Sequence, residues 1–179
     1  MLNCRKFGGD AVNIRNMVLS GLFAALLAIC AWISLPLGSI HFTLQTFGIF
    51  LALLTLGGKW GSVSILVYIA LGAMGLPVFS GFQGGIGVLL GPTGGCIIGF
   101  MLTALLYWLA NSLLGKKPLV QIAALCAGLL VCYLVGWLWY CRFAPMNFFF
   151  WCFPYLLPDG GKLILAYFIA RRLSRALQK

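Results

Sequence analysis

Asp159 and Lys162 stand one helical turn apart in the run PYLLPDGGKLILAYF, residues 154–168, in a chain of 179 residues with only two acidic side chains. Spacing i, i+3 puts a carboxylate and an ammonium on one helix face, where they can neutralise each other. The same pair can grip a polar head group. The carboxylate accepts N–H groups, and the ammonium donates to a carbonyl or carboxylate. A plainer alternative makes Asp159, after Pro158, the N-cap of a short helix from which Lys162 snorkels outward.

Chemistry beyond binding lacks its residues. The single histidine, His41, has no carboxylate cluster around it for acid–base, nucleophilic or metal chemistry. The stretch DGGKL at 159–163 lacks the upstream glycine and the hydroxyl after lysine that a phosphate-binding P-loop requires. Seven cysteines make an odd count, and Cys30, Cys96, Cys126 and Cys132 lie in apolar runs without metal-type spacing. They read as small core packers. The expectation is a protein that is not an enzyme and carries no metal and no cofactor.

The medium follows from composition. The chain is 63% hydrophobic and 8% charged with a mean hydropathy of +1.06, far from the balance of a soluble domain. The net charge of +10 could suggest nucleic acid, but the cations cluster in short gaps between apolar runs, where they fix membrane orientation. The first apolar run is too long for a signal-peptide core and no small-x-small cleavage site follows it, so it reads as a retained helix.

The sequence predicts an all-α integral membrane protein, a single membrane domain over 1–179 with six transmembrane helices and both termini cytoplasmic. The helices fall at 17–35, 42–56, 60–78, 91–114, 118–140 and 153–170, the second being short. Six crossings place Arg5, Lys6, Arg15, Lys59, Lys116, Lys117, Arg171, Arg172, Arg175 and Lys179 inside, Arg142 outside and Lys162 within a span. That partition is what the positive-inside rule requires. Twelve residues separate Asp159 from Arg171, about 18 Å of helix, so the pair sits in the outer half of a core about 30 Å thick. A charge at helix centre costs about 2.5 to 3.5 kcal/mol on insertion scales, so the pair needs a partner or a wet cavity.

Residues 78–95, VFSGFQGGIGVLLGPTGG, carry seven glycines and no charge. Glycine permits tight turns and close approach of a ligand, while Phe79, Phe82, Ile86, Val88, Leu89 and Leu90 call for an apolar surface. The segment reads as a lid folded onto the bundle, with Pro92 starting the fourth helix. The alternative is a linker or re-entrant loop without a ligand. Other polar residues near the pair are Thr43, Gln45 and Thr46 at the start of the second helix, Gln83 in the lid, and Tyr155. Both glutamines can donate and accept, which suits an amide-like or urea-like ligand. In the first helix Ser20, Ala24 and Ala28 recur every four residues, a small-residue face for docking a partner or for packing within the bundle. Six helices without internal symmetry are too few for a carrier of two inverted repeats. A binding subunit driven by other proteins fits better.

With these residues in view, the chain resembles the BioY family, the biotin-binding S components of energy-coupling factor (ECF) transporters. The resemblance rests on the block at 42–100, with GLPVF at 75–79 followed by GPTGG at 91–95, and on the proline-preceded Asp159 and Lys162. GGKWG at 57–61 departs from the G-P-K/R-x-G turn of the family pattern. The resemblance implies an S-component-like bundle with a biotin pocket near the outer surface, delivering its ligand inward by toppling in the plasma membrane. It implies as partners a transmembrane coupling subunit and two cytosolic ATPase subunits, with Ala24 and Ala28 facing the coupling subunit. For biotin, the urea N–H groups would meet Asp159, the urea carbonyl Lys162 or Gln83, and the thiophane ring Phe79 and Tyr155. The carboxylate would meet either lid backbone N–H groups, such as those of Gly84 and Gly85, or Arg142. The competing readings are a self-sufficient ion- or proton-coupled carrier, an S component for another vitamin, and a scaffold without ligand.

Overall fold

The computed structural model describes residues 14–37, 40–145 and 147–177. Arg5, Lys6 and Lys179, which the orientation reading uses, and the seventh cysteine, Cys4, lie outside them. Among the described residues, four helices are long and apolar enough to cross a membrane: α1 (Ile14–Trp32), α2 (Gln45–Ala73), α4 (Gly94–Leu114) and α5 (Pro118–Tyr140). They are joined by a hairpin of β1 (Ser34–Leu37) and β2 (Ile40–Thr43), a short α3 (Ile86–Leu90) and α6 (Phe148–Leu177).

α1 ends three residues before the expected position 35. A residue that precedes proline is pushed out of the helical region, and here that residue is Leu35 before Pro36. The chain instead turns into an antiparallel pair in which Ser34 faces Thr43 and Leu35 faces Phe42. This hairpin, absent from an all-α expectation, delivers Phe42 and Thr43 to the mouth of the bundle.

α2 is not one straight rod. Gly57 adopts φ +79°, ψ 175°, a left-handed conformation that side chains disfavour, and breaks the helix into limbs 45–56 and 58–73. The limbs fold back on each other: Gly61 lies against Leu53, and the Gln45 amide Nε2 donates to the Tyr68 hydroxyl at 3.0 Å. In a continuous helix those 23 residues would stand about 34 Å apart. The expected second and third helices are therefore the two limbs, and the expected loop shrinks to a single glycine. The second limb ends at Ala73 rather than 78, because Gly75 turns at φ +100° and Pro77 follows.

This helical hairpin is the hub of the fold, touching α1, α4 and α6. Ser20, Ala24 and Ala28 of α1 are 2%, 2% and 6% exposed, and the Ser20 hydroxyl donates to the Trp60 carbonyl across the α1–α2 seam. Packing inside the bundle, one of the two readings the sequence offers for these three residues, accounts for their burial. α4 and α5 form the most extensive seam, in which Thr103 donates to its own helix at Gly99 (2.9 Å) and across to the Gly128 carbonyl (2.8 Å). α4 begins at Gly94, not at Pro92, which belongs to the preceding turn.

α6 starts at Phe148 and runs through Pro154 and Pro158. Asp159 is thus an interior helical residue and not the N-cap of a short helix. Cys152, Asp159, Lys162, Leu163, Ala166 and Ala170 are buried at helical spacing, so one face of α6 turns inward while Leu157, Ile164 and Phe168 look outward.

Candidate functional site

The buried face of α6 aims its two charges at the start of α2. Asp159 Oδ1 and Lys162 Nζ lie 2.7 Å apart, and the residues are only 2% and 8% exposed. A buried ion pair is tolerated only when its remaining hydrogen-bonding capacity is met. Here the ammonium donates to three acceptors: Asp159 Oδ1 at 2.7 Å, the Thr43 carbonyl at 2.6 Å and Thr46 Oγ1 at 3.2 Å. It also lies 4.0 Å from the centre of the Phe42 ring, whose negative face favours a cation. The carboxylate accepts from Thr46 Oγ1 at 2.9 Å through Oδ1 and from the Tyr133 hydroxyl at 2.7 Å through Oδ2. Each carboxylate oxygen can accept about two bonds, so Oδ2 retains capacity while the ammonium has none left.

The pair forms part of the wall of a cavity with about 730 Å³ of space free of protein atoms, its open mouth included. Thr43, Gln45, Thr46, Phe79, Tyr133 and Tyr155 line it with Asp159 and Lys162. The apolar wall comes from α3, α4 and α5, through Val88, Ile97, Phe100 and Cys132. Phe79 is held edge-on to Tyr68 with ring centres 5.6 Å apart, over Gly72, where a β-carbon would collide with its ring. Tyr155 stacks on Phe42 at 6.1 Å. The cavity thus joins aromatic side chains to a charged corner.

Of the residues singled out in the sequence, Thr43, Gln45, Phe79, Tyr155, Asp159 and Lys162 converge on this cavity. Thr43 contributes by its backbone carbonyl, and Gln45 spends one N–H on Tyr68. Gln83 and Gly84 line a separate cleft, shared with the main cavity only through Val88 and Thr93. Gly84 packs against the Leu76 carbonyl, and the Gly85 N–H bonds the Gly72 carbonyl at 2.7 Å, so these glycines anchor the lid to α2. Arg142 is exposed and stacks on Trp139 at 4.6 Å, away from the cavity wall. The lid itself is divided: Phe79 and Val88 face the cavity, whereas Ile86 and Leu90 are exposed and Phe82 stacks on Trp32 at 5.1 Å.

Two contributors escaped the sequence reading. Thr46 was visible only as a polar residue near the pair, and Tyr133 not at all. Tyr133 is the polar tip on an apolar helix whose inward face reads Gly128, Leu129, Cys132, Tyr133, Gly136. That phase was the available signal, but α5 is apolar all round and gives no direction to it.

The family model described as "BioY family" matches residues 5–179. A probable biotin transporter BioY of Pyrococcus horikoshii is 44% identical over 165 residues, covering 91% of this chain and 98% of that protein. The biotin transporter BioY of Thermotoga maritima is 40% identical over 173 residues, covering 90% and 97%. Among solved structures, the S component for biotin from an ECF-type ABC transporter superposes with a TM-score of 0.81 at 26% identity, covering 90% of this chain and 92% of that one. The family model and both relatives span nearly the whole chain, and this multi-pass membrane chain belongs to the BioY family.

Proposed function

We propose that the protein is the biotin-capturing membrane subunit of an ECF-type importer. The single observation that carries this is the buried corner in which Asp159 Oδ2 retains acceptor capacity beside an apolar, aromatic-walled cavity. The bicyclic urea of biotin presents N–H donors, and one of them takes the acceptor position that Oδ2 retains. Lys162 is already saturated, so its role is to hold the Asp159 carboxylate in place. The urea carbonyl meets the second N–H of Gln45. Phe79 and Tyr155 flank the thiophane ring, and the valerate chain runs toward the rim, where Ser80 and Thr93 offer hydroxyls.

Membrane placement follows the same reading. The two limbs of α2 count as separate crossings, giving six in all with α1, α4, α5 and α6, and both termini are cytoplasmic. The cation distribution supports this, since Lys59, Lys116, Lys117, Arg171, Arg172 and Arg175 then share one side. The sequence holds no P-loop pattern, so energy is assigned to a transmembrane coupling subunit with two cytosolic ATPases. The relation to a named S component supports that assignment. The protein binds and delivers without performing a reaction of its own.

Isothermal titration of the purified protein with biotin, dethiobiotin and other vitamins tests the proposal. The expected result is one biotin per chain, weakened by roughly 1.5 to 3 kcal/mol in Asp159→Asn through loss of a charged acceptor. Tighter binding of another vitamin, or no binding by a folded wild type, overturns it.

A further inference from the structure

Twelve residues along α6 from Asp159, about 18 Å toward the opposite end of the bundle, a second cavity opens at the Gly57 break. It holds about 920 Å³ of space free of protein atoms, its mouth included. Thr55, Asn111, Lys116, Gln121, Arg171 and Ser174 line it, above the buried ring of Tyr107. Two buried oxygens here have no hydrogen-bond partner, Thr55 Oγ1 and Asn111 Oδ1. Buried polar atoms in folded proteins are almost always satisfied, so a pair of orphans in one cavity calls for an occupant.

Their chemistry restricts what that occupant is. Lys116 and Arg171 bring two positive charges, and Asp159, the only carboxylate side chain among the described residues, is committed to Lys162. The Thr55 hydroxyl can donate as well, so the cavity presents cations and a donor to an anion. Asn111 sets the second condition. Its Nδ2 donates to the Tyr107 carbonyl at 2.8 Å, which leaves Oδ1 as an acceptor in need of a donor. A phosphate ester that also carries free hydroxyls satisfies both.

We propose that this cavity is a binding site for a glycerol phosphate group, supplied by phosphatidylglycerol of the surrounding bilayer. Glycerol phosphate in solution shares the chemistry. The lipid is favoured because the cavity lies where apolar helices end in a cluster of cations, the level of the lipid phosphates, and basic pockets between membrane helices are typical headgroup sites.

The test is native mass spectrometry of the full chain released from nanodiscs of phosphatidylcholine mixed with phosphatidylglycerol or phosphatidic acid. The expected result is one retained phosphatidylglycerol per chain, preferred at least tenfold over phosphatidylcholine and several-fold over phosphatidic acid. Lys116→Gln with Arg171→Gln abolishes the retention, while Asn111→Leu removes only the preference over phosphatidic acid. Thermal unfolding of each variant in detergent verifies that it is folded. Displacement of the lipid by millimolar free glycerol phosphate supports the same site and moves its natural source to solution. Equal retention of phosphatidylglycerol and phosphatidylcholine by the wild type, or undiminished retention by the folded double variant, overturns the proposal.

Discussion

Thr46 and Thr55 sit near opposite ends of the first limb of α2, and their surroundings contrast the two cavities of the molecule. Thr46 belongs to a closed circuit: it donates to Asp159, accepts from Lys162, and leaves no charge at that corner unmatched. Thr55 faces two cations and another oxygen without a partner. The first cavity is pre-organised from within and has capacity to spare for a neutral, hydrogen-bonding head group. The second is completed from outside the chain, by an anion.

This contrast is broken most severely at the ion pair. Asp159→Asn leaves the Lys162 ammonium buried against a neutral amide, and loss of about 3 to 5 kcal/mol is expected, as for other buried pairs deprived of one member. Thermal unfolding in detergent reads it as a large drop in Tm. Adding Lys162→Met restores most of that stability without restoring biotin binding. An Asp159→Asn protein that melts with the wild type would show that the pair is not a compensated buried charge.

A smaller effect belongs to Tyr133→Phe, which removes one donor from Asp159 and leaves its bonds to Thr46 and Lys162. The hydrogen bond to a charged group is worth about 1.5 to 3 kcal/mol. Because the freed Oδ2 gains capacity while the carboxylate loses orientation, stability falls and biotin affinity falls less than in Asp159→Asn. Equilibrium unfolding and titration on the same sample separate the two.

The finest test compares the threonines directly. Thr46→Val deletes a hydroxyl bonded to both charges and is expected to cost about 1.5 to 3 kcal/mol, whereas Thr55→Val deletes an orphan and is expected to be neutral or slightly stabilising in detergent. Equal losses measured by chemical unfolding would erase the distinction between the cavities.

Much of this was legible beforehand, and the exceptions have specific causes. The Asp159–Lys162 contact follows from i, i+3 spacing alone. The positions that converge with it from α2 were visible as the few polar residues opening an apolar run. Tyr133 was hidden because a helix apolar on all sides carries no phase that says which face turns inward. Ser20, Ala24 and Ala28 were likewise open to two readings, since small residues every four positions serve an internal seam as well as an external one. Gln83 was placed with the pair by chemistry, but the anchoring of Gly84 and Gly85 on α2 carries it to the neighbouring cleft. The β hairpin was missed because a membrane reading weighs apolar length, and Pro36 alone signals the change of backbone.

By itself, the sequence determined the medium, the mostly helical class and the ion pair, because hydropathy over 20 residues and contacts within one helical turn are local properties. Only the tertiary structure decided which helix faces meet, that α2 folds at Gly57, that Lys162 is saturated while Asp159 retains capacity, and that Thr55 and Asn111 are left unpartnered. Those facts depend on groups separated by tens to more than a hundred residues. Packing in three dimensions brings such groups together, and no local period in the chain encodes it.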